Sequence, residues 1–310
     1  MRTSLLIGVL VVAGATGARA QAWPQEAGRV YVKLAYGAAT AAEQFTFDGR
    51  ARPFADGVDD DAYFDRSLYL YAEGGLTRHV TLIGALPLRR VFVRDPAFRY
   101  RTYGVGSAML GARVGLRRWL GWENGPNALS ASAAVTVPTG YTRNRTPSVG
   151  AGQVDYEVAL AYGRSFYPLP AYAQASAGFR KRTSVYRFSE AVACQEGVDL
   201  DCFADRRPDY GDEFTASAEA GYTLDVDGPM PRVLVQALGR AVWSVEAPTT
   251  AFTVANPIPT HQRAVKVGGG VTIYGPYGIG VGVQAFATPY GQNTVRSIDL
   301  FLGVEASVNL

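Results

Sequence analysis

The stretch Ile298-Asp299-Leu300-Phe301-Leu302-Gly303-Val304-Glu305-Ala306-Ser307-Val308-Asn309-Leu310 puts apolar side chains at 298, 300, 302, 304, 306, 308 and 310, with Asp299, Glu305, Ser307 and Asn309 between them. Successive side chains of a strand leave on opposite faces, so this period of two predicts a strand with one apolar and one polar face. The same alternation recurs upstream. Ala108, Leu110, Ala112, Val114 and Leu116 alternate with Gly111, Arg113, Gly115 and Arg117. Val154, Tyr156, Val158, Leu160 and Tyr162 alternate with Gln153, Asp155 and Glu157, and Phe214 to Tyr222 alternates with Glu213, Thr215, Ser217 and Glu219. The pattern predicts strands near 29–37, 67–77, 80–92, 104–118, 127–138, 153–167, 171–183, 212–224, 232–246, 263–274, 277–288 and 297–310. That makes about twelve, an even number, as single-chain bacterial membrane barrels require.

Composition points the same way. Of 310 residues, 48% are hydrophobic and 12% aromatic, but only 18% are charged, below the roughly 25% usual for soluble domains. The apolar content excludes disorder, and 2 Cys with 35 unperiodic Gly exclude a disulfide framework or a collagen. A net charge of +3 gives no reason to expect a nucleic-acid partner. After the leader there is no run of roughly 18 apolar residues, hence no spanning helix. A transmembrane barrel reconciles these facts, because it spreads its apolar surface over alternate residues.

The connections keep a rhythm that a soluble sandwich has no reason to keep. Long segments at 38–66, 93–103, 139–152, 184–211 and 247–262 alternate with short ones at Arg78-His79, 119–126, Tyr167-Pro168-Leu169-Pro170, Asp225 to Pro229 and Tyr274 to Tyr277. Short turns facing the periplasm and long loops facing outside are the expected asymmetry of an outer-membrane barrel. Tyr36, Tyr162, Phe166, Tyr222 and Trp243 fall towards strand ends, where amphipathic rings sit at the membrane interfaces. Tyr31, Tyr69, Tyr71 and Tyr274 share the polar parity and are expected inside.

Residues 1–20 are expected to be a cleaved signal peptide: Arg2 supplies charge, Leu5 to Val12 an apolar core, and Ala18-Arg19-Ala20 the cleavage site. The barrel then occupies 21–310 as a single domain. In an oxidising compartment Cys194 and Cys202 are expected to pair and pin the loop that holds them.

The polar parity places Lys33, Glu73, Arg113, Arg117, Asp155, Glu157, Arg180, Arg182, Glu213, Glu219, Arg240, Lys266, Asp299 and Glu305 in the lumen. Both signs occur in similar numbers. Such a lumen is either a solvated pore or a salt-bridged, partly closed one, since charges taken from water must pair. A transporter should show a path lined by Arg113, Arg117, Glu157, Glu219 and Arg240, and a structural barrel should show those groups locked in pairs. Catalytic signals are sparse. Only His79 and His261 could act as an imidazole base, no G-x-S-x-G elbow occurs, and zinc-type Cys/His spacings are absent. A barrel phospholipase using His261 and a neighbouring Ser is the enzymatic alternative. The run Asp56, Asp59, Asp60, Asp61 and Asp65 lacks a calcium-loop spacing, so no metal or cofactor is expected.

Several stretches resemble the FadL-like outer-membrane proteins identified as phenol-degradation meta-pathway transporters, including the XagA-like branch. They are Ala22-Trp23-Pro24-Gln25, Leu70 to Thr77 running into Leu86-Pro87-Leu88, Val137-Pro138-Thr139-Gly140, Gly152 to Glu157, Tyr162 to Phe166, and Gly178-Phe179-Arg180-Lys181-Arg182. The resemblance spans most of the chain after the leader. It implies an outer-membrane barrel that passes hydrophobic or aromatic small molecules and carries over no catalytic residues. The sequence departs from the long-chain fatty-acid transporters in one respect: about eight residues precede the first strand, too few at ~3.3 Å each for a large hatch. The expected partners are outer-membrane lipid, a small-molecule solute and, during biogenesis, the barrel-assembly machinery.

Overall fold

The computed structural model describes residues 22–53, 62–94, 99–122, 125–141, 149–183, 210–224, 232–248, 261–275 and 278–309. Its strands are β1 (Arg29–Phe45), β2 (Ala51–Pro53), β3 (Tyr63–Gly75), β4 (Val80–Arg94), β5 (Arg99–Val105), β6 (Ala108–Gly115), β7 (Asn127–Val137), β8 (Asp155–Ser165), β9 (Ala171–Arg182), β10 (Glu213–Leu224), β11 (Arg232–Ser244), β12 (Arg263–Tyr274), β13 (Ile279–Gln292) and β14 (Thr294–Asn309). Twelve of them form one antiparallel sheet in chain order, and β14 pairs with β1 from Arg29↔Asn309 to Phe45↔Thr294, which closes the sheet into a barrel. Closure leaves the twelve barrel strands with no open first or last edge, the condition for a sheet to cross hydrocarbon.

Burial is inverted relative to a soluble protein. Along β14, Ile298 and Leu302 are 60% and 59% exposed while Asp299 and Glu305, of the other parity, are 3% and 6% exposed. Leu82, Leu86 and Leu88 on β4 and Val158 and Leu160 on β8 are likewise exposed, whereas Glu73, Arg113, Glu213 and Glu219 are buried. An apolar outer face around a charged interior is stable only with lipid outside. The chain is a transmembrane barrel of an outer membrane, with its short turns and first described residues at the periplasmic end.

Two short strands lie off the barrel path. β2 folds back on the outer end of β1 through Glu43↔Pro53 and Phe45↔Ala51. β5 pairs with the outer half of β4, whose lower half pairs with β6. β2 lies within the loop expected at 38–66, and β5 covers the end of the loop expected at 93–103 and the start of the strand expected at 104–118. The reason is chemical. Arg99, Arg101 and Tyr103 alternate with Tyr100 and Thr102, a strand whose outer face is basic rather than apolar. Most other boundaries lie within a few residues of expectation, except that β1, β3 and β13 run further outward. The loop rhythm has one exception, since β13 and β14 are joined at the outer end by Asn293 alone, with φ 50°, a left-handed turn that Asn tolerates.

Residues 1–21, Cys194, Cys202 and Asp56 to Asp61 lie outside the described residues.

Candidate functional site

The interior divides into two unlike walls. Across β7 to β10 the inward residues are mostly small: Ser132, Ala134, Ala159, Ala161, Ser176, Thr215 and Ser217 border a cavity of about 320 Å³. Across β13, β14, β1 and β3 the inward residues include rings. Tyr31 and Tyr71 meet edge-on at 6.2 Å, Tyr69 meets Phe301 at 5.9 Å, and Phe301 meets Phe286 at 6.0 Å. A second cavity of about 90 Å³ lies among Tyr69, Phe286, Phe301 and Arg240, and the Arg240 guanidinium stands 4.8 Å over the Phe286 ring. Tyr69, Arg240, Ala241, Val242 and Gln262 border both cavities.

Charged groups are tied into three layers. At the outer end Arg180 donates to Glu157 Oε2 at 2.9 and 2.7 Å and to Glu213 Oε2 at 2.9 Å. Arg182 reaches Glu213 at 3.3 Å and Asp155 at 3.6 Å, and its guanidinium stacks 4.6 Å from the Tyr210 ring. Midway, Glu219 accepts from Tyr172, from Gln174 at 2.9 Å and from Gln236 at 2.6 Å. On the aromatic wall Arg89 pairs with Asp65, Lys266 pairs with Asp299, and Glu305 accepts from Tyr31 at 2.8 Å and Tyr274 at 2.7 Å. Each buried charge thus has an opposite charge or several donors, which is what offsets its desolvation.

The third layer is at the periplasmic end, where residues 22–27 turn into the barrel. Ala22 packs on Ala128 and Ala161 and donates its N–H to Gln174 Oε1 at 3.3 Å. Trp23 stands edge-on to Tyr172 at 6.4 Å. Gln25 donates from its backbone to Thr81 at 2.8 Å and from its amide to Glu73 at 2.7 Å, and Glu73 also accepts from Arg113 at 3.1 Å and from Tyr71. The wall is cut to fit this segment. A Cβ at Gly163 would lie 2.3 Å from the Trp23 ring, and one at Gly115 would lie 2.6 Å from Pro24. Although short, the segment reaches across the inner mouth, from Glu73 and Thr81 on β3 and β4 to Gln174 on β9.

The expected lumen residues can now be placed. Glu73 lies beneath the larger cavity, Arg113, Asp155, Glu157, Arg180, Glu219 and Arg240 border it, and Lys266 borders the smaller one. Glu305 is inside but walled off by Tyr31 and Tyr274. Arg117 does not join them, because β6 ends at Gly115 and Arg117 instead holds the carbonyls of Trp122 and Gly125 in the following turn, the latter at 2.8 Å. The sequence does not nominate Arg89, Gln174, Gln236, Phe286 or Phe301 for the interior, and it presents Asp65 only as the end of an acidic run. The signal for Asp65 is the polar parity of Ser67, Tyr69, Tyr71 and Glu73 in the strand expected at 67–77, which Asp65 continues outward, two residues before the expected start. Of the two histidines, His261 directs Nε2 to Glu246 at 3.1 Å on the outer rim, and His79 lies in the β3–β4 turn.

No protein-family model matches the chain, and no curated protein matches it in sequence. Among solved structures, the COG4313 outer membrane channel of Pseudomonas putida F1 superposes with a TM-score of 0.70 at 14% identity, covering 94% of this chain and 99% of that one. At that identity the likeness establishes the fold. The toluene transporter TbuX of Ralstonia pickettii superposes at a TM-score of 0.44 and 8% identity over 91% of this chain and 90% of that one.

Proposed function

We propose that the barrel passes small, weakly polar molecules, aromatic ones among them, across the outer membrane through its lumen. The observation that carries this reading is the cavity of about 320 Å³ between a wall of small residues and a wall of rings, with its charges already neutralised by one another. An ion entering such a space finds few unengaged charges, whereas an apolar ring finds space beside other rings, where offset or edge-on contact is favourable. The name of the Pseudomonas channel as an outer membrane channel supports the reading. Assembly-machinery and lipid contacts complete the set of partners we assign, and no catalytic role is assigned.

The paired charges and the inserted segment 22–27 also favour a second reading, a closed barrel with a structural or surface-binding role. Planar-bilayer recordings and liposome uptake separate the two. The transport reading expects low conductance from the intact chain, uptake of uncharged aromatic solutes, and a rise in conductance when residues 22–27 are deleted. A correctly folded barrel that admits no aromatic solute, with or without residues 22–27, would establish the closed reading.

A further inference from the structure

Outside the lumen, the outer ends of β3, β4 and β5 carry an arrangement that transport does not use. Asp65 pairs with Val91 and Leu68 with Leu88, so Arg66 lies beside Arg90 on the outward face. Arg90 in turn pairs with Tyr103, Phe92 with Phe64 and Arg101, and Arg94 with Arg99. Five arginines and three rings therefore interleave on one outward patch, with cross-strand spacings of about 5 Å. Arg66 stands 5.5 Å over the Phe64 ring, which itself meets Phe92 at 5.5 Å. Tyr103 is 73% exposed.

The patch sits at a definite height. From Val80 to Arg90, at about 3.4 Å per residue and a tilt of about 40°, β4 rises about 26 Å, close to the apolar band of about 25 Å in such barrels. Below Arg90 the outward residues are Leu88, Leu86 and Leu82; at and above it they are basic or aromatic. The arginines thus begin where the hydrocarbon of the outer leaflet ends. Like charges facing each other across strands repel, and among the described residues no carboxylate reaches Arg90, Arg99 or Arg101. A counter-anion from outside the chain would relieve that repulsion. Guanidinium forks bind phosphate in a bidentate way, while the rings between them suit the zone between headgroup and acyl chain.

We propose that the outward face of β3–β5 is a docking site for a phosphorylated glycolipid headgroup of the outer leaflet, such as the bis-phosphorylated disaccharide of lipid A. Arg90, Arg99 and Arg101 hold the phosphates, Arg66 is tied to the Ala39 and Asp65 carbonyls, and Phe64, Phe92 and Tyr103 pack against the first acyl carbons. This site is independent of the lumen and survives either reading of its function.

The test is native mass spectrometry of the full-length barrel in detergent, titrated with bis-phosphorylated lipid A, its dephosphorylated form, phosphatidylglycerol and inorganic phosphate. The expected result is retention of bis-phosphorylated lipid A, with affinity reduced about tenfold or more in Arg90→Gln/Arg99→Gln/Arg101→Gln and unchanged in Arg29→Gln/Arg164→Gln at the opposite rim. Arg99→Gln/Arg101→Gln alone changes only β5, which is off the barrel path, so assembly does not limit the test. Equal binding of dephosphorylated lipid A, of phosphatidylglycerol or of inorganic phosphate would overturn the proposal. So would parental affinity in the glutamine variants.

Discussion

The wall formed by β7 to β10 and the wall formed by β13, β14, β1 and β3 obey the same strand periodicity yet fill the interior in opposite ways. On the first, Ser132, Ala134, Ala159 and Ser176 stop short of the axis; on the second, Tyr31, Tyr69, Phe286 and Phe301 reach towards it. Where a barrel is hollow is therefore decided by side-chain size on the inward parity and not by strand number alone. A twelve-stranded barrel is wider than the eight-stranded kind that side chains fill, and the small wall supplies the space.

The strongest way to break this comparison is to make the walls alike. Ala159→Trp together with Ser176→Trp should occupy the cavity and lower aromatic-solute uptake by about tenfold or more, with heat-modifiable migration retained, because volume is filled without cutting a charge pair. Next comes the pair at the edge of the ring wall, Glu73 on β3 with Arg113 on β6. Glu73→Ala strands the Arg113 guanidinium and frees Gln25, and should cost about 3–5 kcal/mol, read as a lower unfolding midpoint in detergent and as release of residues 22–27 to protease. Phe301→Ala should enlarge the smaller cavity and raise uptake of bulky aromatics by a smaller factor, about threefold, at a packing cost of about 3 kcal/mol. An unchanged size selectivity would mean that the ring wall does not set it.

The smallest effect concerns pH. Partial burial opposes ionisation of Asp212, but the Arg182 amide at 2.9 Å and the Lys181 ammonium at 3.0 Å outweigh it and hold the carboxyl below its ordinary 3.8. A depressed carboxyl stabilises the fold above its unfolded pKa, and that contribution is lost as the pH falls through the folded value. Protection of the Arg182 amide from hydrogen exchange should therefore hold at neutral pH and fade below about pH 4, with β9 otherwise intact.

Much of the fold was legible because the physics that makes a strand two-faced also writes a period of two into the sequence. All twelve barrel strands were found on that signal, and the alternation of loop lengths gave their orientation. It failed where the outer face was not apolar. Arg99-Tyr100-Arg101-Thr102-Tyr103 has the right period with the wrong chemistry for a lipid-facing strand, and was read as loop. The lumen was less legible. Parity could nominate Arg113 or Glu157, but pairing depends on register across strands, so that Arg180 bridges Glu157 and Glu213 from two neighbours at once. Phe286 and Phe301 break the apolar-polar alternation and are visible as interior rings only in the structure. The fit of Trp23 against Gly163 joins residues far apart in sequence, and no local pattern announces it.

The seam between β1 and β14 is also the longest ladder of the barrel, running from Arg29↔Asn309 to Phe45↔Thr294, and it joins the two ends of the strand order. Every other barrel ladder links strands that follow one another around the barrel, with at most β2 or β5 between them in the chain, and can zip soon after both strands exist. The seam closes by far the longest loop, which carries the largest entropic cost and, as the most non-local pairing, is expected to form last and slowly. Placing the most hydrogen bonds there makes the final step of insertion the hardest to reverse: until β14 meets β1 the sheet is an open ribbon that any other edge could capture, and afterwards its membrane-spanning part has no edge to offer.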